Sequence, residues 1–216
     1  MVTSTFSLLQ GASTVIRDFW PWLREGPISA LFLNRFQSLE VESDTQSRLG
    51  SSYSAFELLI KHINSRSSRS SLALSSSPAS LSFSSQHPSS TSLSSGELDT
   101  YRNTVSTLQK VFVLINSSDT DNGVVLTWPF LLEREWGFAA LLKEMKPLAL
   151  VILAYYGVAL HAFRSDWYIG DWGQRLVIDV EKTLALAGGE TREAEWHELM
   201  AWPLEMVKNG EGFDKR

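Results

Sequence analysis

The sequence predicts an all-α fold, an irregular multi-helix domain with a long Ser-rich disordered insert. Three observations carry this. Apolar residues recur at three- and four-residue spacing in segment after segment, the signature of one-sided helices. Strand-like alternation never persists long enough to make a sheet. Pro147–Leu160 is apolar on every side, as a helix inside a core should be.

In chain order, Phe6, Leu9, Ile16, Phe19 and Leu23 keep helical spacing, broken near Gly11, until Gly26-Pro27 punctuates the segment. Ile28, Leu31, Phe32, Phe36 and Leu39 form a second stripe, and Tyr53, Phe56, Leu59, Ile60 and Ile63 a third. More than half of residues 65–95 are serine, with Pro78 and Pro88 and no acidic residue. Serine competes with the helix for backbone hydrogen bonds, and so little apolar area cannot offset ordering entropy. A passive linker is expected there. The alternative is a phosphorylation platform, since Arg66-Ser-Ser-Arg-Ser-Ser71 and Ser77-Pro78 suit kinases. The chain thus divides into an N-terminal helical part (1–64), a Ser-rich linker (65–96) and a C-terminal helical part (97–210).

Beyond the linker, Leu98, Tyr101, Val105, Leu108, Phe112 and Ile115 make an almost uninterrupted helix face. Asn116–Gly123 supplies turn residues. Pro129 should push Trp128 to an extended conformation and open a helix that carries Phe138, Leu141, Leu142 and Met145 up to Pro147. Asp166–Gly173 reads as a turn. Asp171 is placed to cap a helix bearing Trp172, Leu176, Val180 and Leu184, which Gly188-Gly189 ends. A short helix through Trp196 and Leu199 runs into Trp202-Pro203.

Composition narrows function. The chain has 216 residues, 44 % hydrophobic, with net charge −5 and no cysteine. The basic residues are scattered, so direct nucleic-acid binding is not expected. The absence of cysteine excludes disulfides, thiolate metal sites and a cysteine nucleophile. The N-terminus has neither the basic start nor the apolar core of a signal peptide. Pro147–Phe163 would make a helix of about 25 Å, short of the roughly 30 Å hydrocarbon layer, so no membrane span is expected.

Chemistry is sparse. His62, His87, His161 and His197 form no His-x-x-x-His pair. Glu193 and His197 share a helical face, a pattern more usual for a solvated surface than for a metal site. There is no Gly-x-Ser-x-Gly elbow, Gly-x-Gly-x-x-Gly loop or Gly-Lys-Ser/Thr phosphate cradle. An enzyme, a metal and a cofactor are therefore not expected. Six of the eight tryptophans lie in the C-terminal half. They read first as core residues and helix-junction anchors. The sharper reading is an apolar pocket formed by Trp136, Tyr155, Tyr156, Trp167 and Trp172, with tyrosine hydroxyls as donors.

Four pieces in order carry a family resemblance: Trp128-Pro129, Pro147-Leu-Ala-Leu-Val-Ile-Leu-Ala-Tyr-Tyr156, Trp167-Tyr-Ile-Gly-Asp-Trp172 and Trp202-Pro203. Upstream, Phe6–Ile16 and Glu25-Gly-Pro-Ile28 join them. The set resembles the C-terminal regulatory region of fungal zinc-cluster (six-cysteine) transcription factors, in the sterol-uptake-regulator branch. The cysteine cluster that reads DNA in that family has no counterpart here. The resemblance implies a transcription-regulator-like protein of the nucleus or cytoplasm, acting through a protein partner, self-association or sensing of a sterol or other apolar ligand. The alternatives are a truncated paralogue serving as a binding or dimerisation module, and an accessory protein of lipid or natural-product metabolism.

Overall fold

A computed structural model describes residues 49–72, 93–116, 125–126, 128, 137–187 and 190–209. The two stripes between Phe6 and Leu39, and Trp136, lie outside the described residues. Among the described residues there are six helices and no strand, so the all-α expectation holds. The helices are α1 (Tyr53–Leu72), α2 (Ser95–Ile115), α3 (Phe138–Lys143), α4 (Pro147–His161), α5 (Trp172–Ala187) and α6 (Glu190–Asn209).

A single 3-10 turn, Gly50–Ser52, leads into α1. The Ser52 hydroxyl and the Asn116 amide both donate to the Leu49 carbonyl, at 2.6 and 3.2 Å, tying the start of α1 to the end of α2. The apolar stripe expected here packs as anticipated, with Phe56, Leu59 and Ile63 buried. The linker boundary differs from expectation. Helix α1 runs on to Leu72, through the first residues of the serine tract. Side chains tie down its entry: Ser65 Oγ donates to the His62 carbonyl, and the Arg66 guanidinium lies 5.1 Å from the Trp196 ring. The rest of the tract, residues 73–92, lies outside the described residues.

Helix α2 starts on a reciprocal capping box. The Glu97 amide donates to Ser94 Oγ at 3.2 Å, and the Ser94 amide donates to Glu97 Oε2 at 2.8 Å. The Ser94 backbone bond holds the Glu97 carboxyl below its ordinary range, and Lys146, 3.4 Å away, adds to this. All six residues of the expected α2 face are buried.

The α3 region corrects two expectations. Trp128 is helical rather than extended. The preference imposed by a following proline is modest, and the Trp128 ring is buried in a 4.6 Å stack on Tyr156. Nor does one helix run from Pro129 to Met145: α3 begins afresh after Gly137, whose φ of 67° is left-handed. It ends in a Schellman motif, with the Lys146 amide donating to Leu141 and Met145 to Leu142. Met145, at φ 54°, occupies the position usually given to glycine.

Helix α4 is the hub, packing against α2, α3, α5 and α6, and every residue from Leu148 to His161 is buried. Among the described residues no helix is long and apolar enough to cross a membrane. Its closest neighbour is α5. A methyl group added at Gly157 would sit 2.8 Å from Val177 Cγ2 and 3.0 Å from the Gly173 carbonyl, and one at Gly173 would meet the main chain of Gly157 and His161. This pair of glycines lets the two backbones touch.

Helix α6 is longer than expected. It continues past Trp202-Pro203 to Asn209 with Pro203 inside it. An internal proline costs about 3 kcal/mol. Against that stand Leu199, Met200, Leu204 and Val207, all buried where α6 packs on α4 and α5.

Candidate association surface

The hairpin formed by α4 and α5 ends in a turn over residues 162–171. It is closed by a ladder of short backbone bonds: Asp166 amide to Phe163 carbonyl, then Ile169 and Gly170 amides to the Asp166 carbonyl at 2.9 and 2.8 Å, then Trp172 amide to Ile169. Gly170 supplies the left-handed step this path requires, at φ 45°. Ile169 is buried and pins the loop to the core. Asp171 stands where the sequence places it, just before α5. Its carbonyl accepts from the Arg175 amide, and its carboxylate lies 3.9 Å from the Arg175 guanidinium.

This pinned loop points its aromatic rings outward. Trp167 is 91 % exposed, Trp172 50 % and Tyr168 43 %. Trp167 and Tyr168 meet edge to face, centroids 5.5 Å apart and planes at 84°. Rigid aromatic side chains exposed on a well-held backbone are the residue types that dominate association energetics. At the foot of the turn, His161 is buried and its Nδ1 has no hydrogen-bond partner. Burial lowers the imidazole's proton affinity, Arg164 lowers it further, and Asp171 acts in the opposite sense.

The expected pocket residues separate into two places. Tyr155 and Tyr156 lie inside the core, while Trp167 and Trp172 stand at the surface. The tyrosines are instead met by the tryptophans of the two framing Trp-Pro pairs. Trp202 lies 5.0 Å from Tyr155, and Trp128 stacks on Tyr156. Neighbouring residues on a helix point about 100° apart, so the two tryptophans cover different sides of α4. The Tyr155 hydroxyl donates to the Ala55 carbonyl at 3.2 Å. Burial pushes the phenols of Tyr101, Tyr155 and Tyr156 far above their ordinary range.

A concavity of about 100 Å³, partly open to solvent, lies between α5 and α6. Leu184, Ala185, Trp196, Met200 and Leu204 form its apolar lining, and Glu181 and His197 add polar atoms. Sequence reasoning missed it, because the lining residues come from two helices whose relative rotation no local pattern states. Among the described residues, no three histidine or carboxylate side chains converge to hold a metal ion. The chain matches no protein-family model, no curated protein and no solved structure.

Proposed function

We propose that this chain is a helical association module, akin in role to the effector end of a fungal transcription regulator, acting by contact with a protein partner or a second copy of itself. The observation that carries the reading is the outward exposure of Trp167, Tyr168 and Trp172 at a turn held by several backbone hydrogen bonds and anchored by Ile169. Such a patch is held in place before any partner arrives, so binding loses little conformational freedom. These three rings could bury roughly 400 Å², about half of what one partner of a stable complex contributes. The contact is therefore a centre of binding energy within a weak or wider interface. The reading carries no direct nucleic-acid contact and no catalytic step, and it places the protein in the nucleus or cytoplasm.

Sizing chromatography with light scattering tests it, comparing the native chain with the double variant Trp167→Ala/Trp172→Ala. Concentration-dependent association is expected in the native chain and a folded monomer in the variant. Equal behaviour of the two across the concentration range would sink self-association through this surface.

The apolar lining of the α5–α6 groove supports a second reading, in which part of a sterol or other apolar ligand rests against Trp196 and Met200 without being enclosed. A ligand that binds only the folded state raises the melting temperature in proportion to its saturation. Absence of any shift with sterols and fatty acids near saturation would remove this reading.

A further inference from the structure

We propose that His161 is a pH-sensitive latch holding the α4–α5 hairpin closed beneath the aromatic turn, so that proton uptake releases the turn. The functional consequence rests on the association reading above; the latch itself does not.

The geometry is specific. His161 is the last residue of α4, and its main chain is in near contact with Gly173 at the first turn of α5. A single methyl added at Gly173 would stand 2.5 Å from the His161 nitrogen and 2.9 Å from its Cα. His161 as a residue is 6 % exposed, and its Nδ1 lacks a partner. A neutral ring tolerates that arrangement. An imidazolium needs donors satisfied at both nitrogens and a hydrated or paired charge.

The surrounding charges do not provide it. From the turn, Arg164 opposes protonation. Asp171 favours it, but the Asp171 carboxylate is exposed and also faces Arg175. Among the described residues, helix α6, which packs on both α4 and α5, adds no charge that acts on the ring. The carbonyl end of α4 favours a cation, yet desolvation is the largest influence and lowers the proton affinity.

The sign follows from linkage. The closed hairpin binds the proton less readily than the open one, where the imidazole regains its ordinary value of 6.5. Stability of closure is therefore fully present above that value and is lost as pH falls below it. In that window the open fraction rises by up to about tenfold per pH unit. Opening separates the His161 end of α4 from Gly173 and loosens the bonds that aim Trp167 and Trp172 outward.

Amide hydrogen exchange on the dilute monomer reads this directly, corrected for the intrinsic pH dependence of exchange. Between roughly pH 7.5 and pH 5, a range that spans the imidazole value, the amides of Ile169, Gly170, Trp172 and Arg175 should lose protection. Amides in the middle of α2 should not. His161→Gln, neutral throughout, should show a flat profile, and His161→Leu serves if that variant does not fold. Three results overturn the latch: protection at the turn that is constant with pH, an equal loss across α2, or the same loss in the neutral variants. NMR titration of the His161 ring in the native chain gives an answer even if both variants fail to fold. A midpoint at or above the ordinary value overturns the proposal, and one below supports it. A chain that stays monomeric in sizing experiments would sink self-association through the turn and leave this measurement intact.

Discussion

Two groups of aromatic rings in this molecule come from the same stretch of chain and meet opposite fates. Around α4, Phe56, Phe112, Tyr155 and Trp202 interlock with centroids 5.0 to 6.3 Å apart, and Trp128 stacks on Tyr156. At the hairpin tip, Trp167, Tyr168 and Trp172 face solvent. The contrast lies in what the backbone allows. The core rings project from long helices that face one another, so each removes its neighbour's surface from water. The tip rings project from a turn of about ten residues and the first position of α5, where the buried side chains, Ala162, Phe163 and Ile169, anchor the turn itself. The first group holds the fold together. The second can be used by something else.

Breaking the core side of the contrast should have the largest effect. Phe56 is fully buried and touches three rings from α2, α4 and α6. Phe56→Ala should cost about 3–5 kcal/mol in urea denaturation. The link between the two regions comes next. Gly173→Ala puts a methyl against the main chain of Gly157 and His161, where neither can swing aside. It should cost about 2–3 kcal/mol, with the loss of protection concentrated in α4, α5 and the turn.

Hydroxyl deletions sharpen the picture within the core. The Tyr155 hydroxyl bonds Ala55, so Tyr155→Phe should cost about 1 kcal/mol. The buried Tyr101 hydroxyl has no partner, so Tyr101→Phe should be neutral or stabilising by about 1 kcal/mol. Thermal melts of the two variants should move in different directions or by clearly different amounts. The smallest effect belongs to the tip: Trp167→Ala should leave stability within about 0.5 kcal/mol while reducing association. A large stability loss there would mean the ring supports the fold after all.

The local code was readable where one face of a helix is apolar and the other polar. The α2 face from Leu98 to Ile115 and the α1 face through Phe56 and Ile63 follow from spacing alone. So do the buried character of Pro147–His161 and the turn at Asp166. Proline and serine misled at boundaries. The sequence predicts an extended Trp128 before Pro129, a helix that ends at Pro203 and a linker that starts at Ser65. In each case packing by a distant partner outweighed a preference worth a few kcal/mol at most: Tyr156 beneath Trp128, the α4–α5 surface beneath Leu204, and Trp196 beneath Arg66.

Spacing and composition alone establish that this protein is helical, that α4 lies inside, and that no familiar catalytic motif is present. Those properties depend on residues close together in the chain. The docking of the helices settles which described tryptophans are buried and which exposed, that Gly157 and Gly173 meet, and that His161 Nδ1 ends up without a partner. A helix apolar on every side carries no phase to say which neighbour covers which residue. That assignment is made by the docking of helices tens of residues apart, and here it separates the rings that hold the fold from those left free to bind.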